Sequence, residues 1–158
     1  MIIGIDPGLT GAIGMIDNDG RFFAVEDLPV MPRSGSSKSA KVKNQINSAE
    51  LARLLRPHAG QIRLAIVEQV VARPGQAAAA TGSLMHSLGS IEGVLASLGI
   101  PCQLVTPVVW KKALRLGSDK AQALTMAQRL YPAAPLGRAK DHNRAEALLL
   151  ASWGGRHV

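Results

Sequence analysis

Two short apolar runs, each ending on a carboxylate, constrain this chain more than any other feature. Met1-Ile2-Ile3-Gly4-Ile5 leads into Asp6, and Leu64-Ala65-Ile66-Val67 leads into Glu68. Short, largely unbroken apolar runs of this kind read as strands buried on both faces. An ionised carboxylate set against such a core costs several kcal/mol by order of magnitude unless it is paired or holds a cation. Glu146 is a third acid in apolar company, inside the helical stretch 145–151. One such acid is commonly a strand-end or helix-surface residue with a local partner. Two acids ending separate buried strands ask for a shared role.

The rest of the charge has the opposite sign. Lys and Arg number 18 against 11 Asp and Glu, a net charge of +7 with a pI near 10.2. Such a surplus favours a polyanionic partner, because each cation beside a phosphate releases a counterion. No acid interrupts the stretch between Asp27 and Glu50, where Arg33, Lys38, Lys41 and Lys43 lie among Ser and Gly. Residues 28–47 therefore read as a flexible basic loop suited to contact such a polyanion. A hydrophobic share of 47% is enough for a buried core and excludes a disordered chain. With 158 residues, one domain spanning 1–158 is expected. A lone Cys102 makes no internal disulfide and no Cys-based zinc site. No apolar run of membrane-spanning length and no basic-then-apolar leader is evident, so a cytoplasmic protein is expected.

Residues 2–6, 11–16 and 21–25 read as an antiparallel meander, with Asp17-Asn18-Asp19-Gly20 as a turn. Ser48 would cap a helix over about 49–56, before Pro57. Strands are expected at 64–68 and 102–105, flanking a long helix over 76–98 that Gly99 stops. Thr106-Pro107 would start a short helix, and Ser118 would cap another running to about Leu130. A loop over 132–140 precedes a last helix from Asp141 or His142 to about Trp153, stopped by Gly154-Gly155. The pattern is α/β, with a mixed five-stranded sheet flanked by helices.

If the two buried strands pair in parallel, Asp6 and Glu68 stand at neighbouring C-terminal strand ends, where α/β folds place ligands. The last helix would add Glu146, with Asp141 at its start. Hard cations take oxygen ligands, so two to four carboxylates can hold one or two magnesium ions, and manganese suits the same donors. A pair of ions can activate water and stabilise the leaving oxygen of a phosphodiester. The acids would bind metal and the basic residues would bind the nucleic-acid backbone.

Ile5-Asp6-Pro7-Gly8-Leu9-Thr10-Gly11 and Ile66-Val67-Glu68-Gln69-Val70 resemble the RuvC family of Holliday-junction resolvases. So do Thr106-Pro107 to Trp110-Lys111-Lys112 and Arg144-Ala145-Glu146-Ala147-Leu148, in order along nearly the whole chain. The resemblance implies an RNase H-like fold and a homodimer binding four-way DNA junctions. It also implies magnesium-dependent, symmetric paired nicks that leave 5′-phosphate and 3′-hydroxyl ends, alongside a branch-migration helicase whose identity stays open. Asp6, Glu68 and Glu146 match the family's metal-binding acids. The family usually has an acid or histidine three residues before the last acid, where this chain has Asn143. Asp141 is taken first for that role, because hard metals prefer carboxylates, with His142 or Asn143 as alternatives. Lys111, Lys112 and Lys120 fall where resolvases place phosphate-contacting or catalytic lysines, and Trp110 is expected to pack beneath the site.

The loop after Glu68 departs from the family: Val70-Val71-Ala72-Arg73 stands where an aromatic is often found, so base stacking gives way to backbone contact through Arg73. Small residues at 77–80 and at Gly82, Gly89 and Gly93 permit a tight helix approach across a dimer. Three other readings remain. One is an RNase H-fold nuclease of flaps, forks and other branched DNA. Another is a catalytically decayed junction-binding protein, suggested by Asn143. The third is a sugar-kinase or actin-like phosphate loop at 4–11, which would need a second such loop and over twice this length.

Overall fold

The computed structural model describes residues 1–34, 42–71, 75, 77–117 and 119–157, without the side chain of Lys120. Five strands form one mixed sheet: β1 (Ile2–Ile5), β2 (Ala12–Ile16), β3 (Phe22–Asp27), β6 (Leu64–Glu68) and β7 (Cys102–Val105). Their spatial order is β3-β2-β1-β6-β7. The first three make the expected antiparallel meander, while β1–β6 and β6–β7 are parallel. Two further strands, β4 (Val30–Pro32) and β5 (Asn44–Ile46), form a small antiparallel ribbon. The ends of the segment read as a structureless loop are thus paired backbone.

Helix α1 (Ser48–Leu55) and helix α2 (Ala78–Ser97) cover one face of the sheet. Helices α3 (Pro107–Ala113), α4 (Lys120–Leu130) and α5 (His142–His157) cover the other. Strand alternation divides the core between them. Ile3, Ile5, Ala65 and Val67 pack towards α1 and α2, whereas Ile2, Leu64 and Ile66 pack towards α5. β1 is buried along its whole length and β6 along all but its last residue, as the unbroken apolar runs implied.

Several boundaries move, each for a local reason. Asn47, one residue before the expected cap, accepts the Glu50 N–H at 3.1 Å and starts α1. Pro57 then opens no gap but sits in the first turn of a 3₁₀ segment, Arg56–Gln61. Asp119 caps α4 by accepting the Ala121 N–H at 2.9 Å; Ser118 lies outside the described residues. Gly99 does stop α2, at φ +67°.

The largest correction concerns Gly154-Gly155, which do not end α5. A Cβ at Gly154 would fall 2.4 Å from Cγ1 of Ile66, so this glycine marks close packing of helix on sheet. Gly4 and Gly14, paired across β1 and β2, do the same from the sheet side. Their Cβ atoms would lie 2.2 Å from the Ala147 carbonyl and 2.4 Å from the Leu148 nitrogen. Helix α5 is buried all round from Ala145 to Gly154, as a helix between a sheet and other helices must be.

Gly4→Ala or Gly14→Ala should therefore lower stability by about 3 kcal/mol or prevent folding, since the clash is with backbone that no rotamer relieves. Gly60→Ala, where a Cβ meets nothing within 4 Å, should change it by no more than about 1 kcal/mol. Thermal denaturation of the variants measures both.

Candidate active site

The β1–β6 register pairs Ile5 with Val67, so Asp6 and Glu68 follow side by side at the C-terminal ends of the two central strands. By the same alternation that sends Ile2 and Ile66 towards α5, both acids belong to the α5 side. Asp6 is held in a tight turn in which its N–H donates to the Ala12 carbonyl at 3.0 Å. A Cβ at Gly11 would lie 2.0 Å from the Asp6 carbonyl oxygen, so the Gly in Asp6-Pro7-Gly8-Leu9-Thr10-Gly11 is required by the turn.

Asp6, Glu68, Asn143 and Glu146 line one cleft of about 780 Å³, with Lys111 and Lys112 on its wall. A second cavity of about 510 Å³ shares Asp6, Glu68 and Pro107 and extends past Val70 and Val71 to Gly75. Glu68 Oε1 accepts a hydrogen bond from Trp110 Nε1 at 2.9 Å, and the indole is fully buried. Glu146 Oε1 accepts from Lys111 Nζ at 2.8 Å, and the same ammonium lies 5.1 Å from the centre of the Trp110 ring. Trp110 thus packs beneath the site, as expected. Its hydrogen bond to Glu68 was not legible, because nothing in sequence fixes an indole's direction.

Burial pushes the Glu68 carboxyl up to about 7, against the opposing Trp110 hydrogen bond, and the negative charges of Asp6 and Glu146 add to the rise. The centre of the cleft is therefore acidic, relieved in part by Lys111, although the protein around it is basic. All four candidate donors offer a carboxylate or amide oxygen, the donor type that hard cations take. Among the described residues, no three His, Cys, Asp or Glu side chains are gathered tightly enough to grip an ion as they stand. Glu146 is turned to Lys111, so the donor set fits a cation once that ion pair exchanges.

Asp141 does not line this cleft. It lines a cavity on the other side of the α5 start, with His142, Asp27 and Arg138. The carboxylate is 2% exposed and accepts Arg138 Nε and Nη2 at 3.0 and 2.7 Å, and the Arg138 N–H at 2.8 Å. The Arg138 guanidinium holds it below the usual carboxylate range. The Arg138–Asp141 spacing of three was a readable ion-pair signal. Asn143, one turn before Glu146, lines both this cavity and the carboxylate cleft, and its Nδ2 donates to the Thr10 carbonyl at 2.6 Å and Oγ1 at 3.1 Å. Arg144 donates to Asp27 at 2.6 and 2.8 Å, fixing the α5 start to the end of β3.

The remaining basic residues divide. Lys111 and Lys112 are in the cleft wall, as is Arg115, which sequence reasoning passed over. Arg33 and Lys43 stand at the open end of the β4–β5 ribbon, where the Arg33 N–H donates to the Lys43 carbonyl at 2.8 Å, and neither lines the cleft. Lys38, Lys41 and Arg73 lie outside the described residues, and Lys120 is described only as the first residue of α4.

Sheet order, the parallel central pair and the crossing helix define the RNase H-like fold. Comparison with solved structures finds the same fold in RuvC. The chain is similar to T. thermophilus RuvC in complex with a Holliday junction substrate, at 17% identity over 96% of this chain and 90% of that one, with a TM-score of 0.68. It is also similar to a Thermus thermophilus RuvC structure at 18% identity, over 96% and 91%, with a TM-score of 0.56. No family model matches the chain, and no curated protein matches it in sequence. Among the described residues, no helix is long and apolar enough to cross a membrane.

The Glu68 shift fixes a sign for stability in metal-free buffer. Between pH 4.5 and about 7 the folded chain keeps a proton that the unfolded chain has released, so stability from this group falls as pH rises through that window. Glu68→Gln should raise stability by up to about 3 kcal/mol at pH 8 and leave it nearly unchanged at pH 4, in EDTA. Denaturant melts at the two pH values test this; equal effects at both would locate the titration elsewhere.

Proposed function

We propose that the protein is a metal-dependent endonuclease of branched DNA that resolves four-way junctions by paired, symmetric nicks. The observation that carries this reading is the meeting of Asp6, Glu68 and Glu146 at one basic-walled cleft on an RNase H-like fold. Asp6, Glu68 and Glu146 would hold one or two magnesium ions, or manganese, with the Asn143 amide oxygen beside them, and Lys120 at the start of α4 is a candidate catalytic cation for the phosphate. When bound, such an ion draws electron density from the scissile phosphate and makes water a better nucleophile.

The chain's own groups have definable tasks. Asp6 and Glu68 are fixed by the strand ends, so their separation is set by the sheet. Trp110 holds the Glu68 carboxylate in one orientation through Nε1. Lys111, displaced from Glu146, becomes available to the negative charge that grows on the phosphate oxygens. Hydrolysis then forms a water oxygen–phosphorus bond and breaks the phosphorus–O3′ bond, the proton going to O3′, which leaves 5′-phosphate and 3′-hydroxyl ends. Lys112, Arg33, Lys38, Lys41, Lys43 and Arg73 would carry the DNA backbone.

Two nicks on a two-fold junction call for two sites, hence a homodimer. Gly82, Gly89 and Gly93 support one along α2: a Cβ at any of them meets nothing within 4 Å, and Met85 between them is 45% exposed. Asn143 and the Lys111–Glu146 ion pair favour a second reading, a junction-binding protein that has lost its chemistry.

Cleavage of a labelled immobile four-way junction, beside flap and linear duplexes, separates these readings. Magnesium should give symmetric nicks on the junction and EDTA should abolish them. Asp6→Asn should lower the rate at least about 1000-fold, as loss of a metal-holding carboxylate would, with DNA binding retained. Equal cutting of flaps would indicate a general branched-DNA nuclease. Tight junction binding with no cutting in either metal would establish the binding protein.

A further inference from the structure

Two helices in this chain end in the same way, with one difference. At the end of α2, the Gly99 N–H donates to the Ala96 carbonyl at 3.0 Å and the Ile100 N–H to the Leu95 carbonyl at 2.9 Å. At the end of α3, the Arg115 N–H donates to the Lys112 carbonyl at 3.0 Å and the Leu116 N–H to the Lys111 carbonyl at 2.8 Å. Both are Schellman closures, which require a left-handed residue just past the cap. Glycine supplies it at φ +67° in the first, and arginine at φ +55° in the second. Among the described residues, Arg115 is the one non-glycine with positive φ. A side chain there crowds the following carbonyl, a strain that glycine avoids.

The two positions differ in what surrounds them. A Cβ at Gly99 would meet nothing within 4 Å, so its end of the sheet gains nothing from a side chain. Arg115 lines the carboxylate cleft with Lys111 and Lys112, and also the adjoining groove of about 710 Å³ along α4. It is exposed, and no hydrogen bond or ion pair is formed by its guanidinium among the described residues. The nearest acid on that groove, Asp119, already accepts the Ala121 N–H as the cap of α4. The left-handed backbone serves the closure of α3, but an arginine there in place of glycine gains no contact among the described residues. Residues kept in a sparsely populated conformation cluster at functional sites.

We propose that Arg115 is a DNA-contacting residue of the cleft, held in the left-handed region so that its guanidinium meets a backbone phosphate of the strand lying between the carboxylates and the α4 groove. Arginine suits this task because its planar fork pairs with phosphate through two parallel hydrogen bonds. The assignment rests on the nuclease reading above and adds a determinant of how the strand is carried out of the cleft.

Strain and contact predict opposite signs, which makes the test sharp. Arg115→Gly should raise the melting temperature by about 2–4 °C, by relieving the conformation. In EDTA, the same variant should bind an immobile four-way junction roughly tenfold more weakly, with the slope of log K against log salt reduced by about 0.9. Arg115→Lys should retain the slope while losing the paired geometry. A raised melting temperature with unchanged affinity and slope overturns the assignment, as does a lowered melting temperature, which would make Arg115 part of the fold. Wild-type protein that binds no branched DNA overturns the nuclease reading itself, and the assignment with it.

Discussion

Everything about the cleft depends on how closely α5 lies on the sheet. Gly4, Gly14 and Gly154 leave no side chain between helix and strands, so backbone meets backbone or the flank of Ile66. That contact places the first turns of α5 above the ends of β1 and β6. Glu146 then reaches the same space as Asp6 and Glu68 without a long or flexible side chain. The ties between Arg144 and Asp27, and between Asn143 and Thr10, hold the start of the helix over the strand ends. A seat built from missing Cβ atoms has little room for adjustment, and so fixes the spacing of the acids more firmly than side-chain packing would.

Electrostatics then works against the fold in one small region. A protein of net charge +7 keeps three carboxylates together, and Glu68, one of their strand-end pair, is pushed towards neutrality. Lys111 offsets part of this by pairing with Glu146, and its ammonium rests beside the Trp110 ring. An internal cation thus neutralises one of the three acids within the cleft. Asp141 shows the contrast: tied to Arg138 through both oxygens, it is a satisfied acid, and satisfied acids are poor candidates for binding anything else.

Much of this was legible from residues alone. The unbroken apolar runs before Asp6 and Glu68 gave two central strands, and the period of two then fixed which face the acids share. The three-strand meander followed from its turns, and the α/β alternation from the helix caps. What stayed hidden depended on contacts distant in sequence. Gly154-Gly155 looks like a helix stop, because a glycine that ends a helix and one that lets a helix touch a sheet are the same letter. The preference of hard metals for carboxylates ranks Asp141 over Asn143, although helical spacing sets Asn143 nearer the Glu146 face. What the sequence hides is Arg138 claiming the former and Thr10 steadying the latter. Arg115 escaped notice because backbone handedness has no sequence signal when the residue is not glycine.

The placement of the two tryptophans gives the molecule an optical readout of its own. Trp110 is fully buried with its indole N–H on Glu68, while Trp153 is near the far end of α5, stacked on His157 with ring centres 5.0 Å apart. One indole therefore senses the charge state of the cleft and the other does not face it. A proton gained by the carboxylate beside it, or a cation taken there under the proposed reading, would shift emission from the first indole, while the second answers to His157 instead. Occupancy of the site would in this way be written into the intrinsic fluorescence of the unlabelled chain.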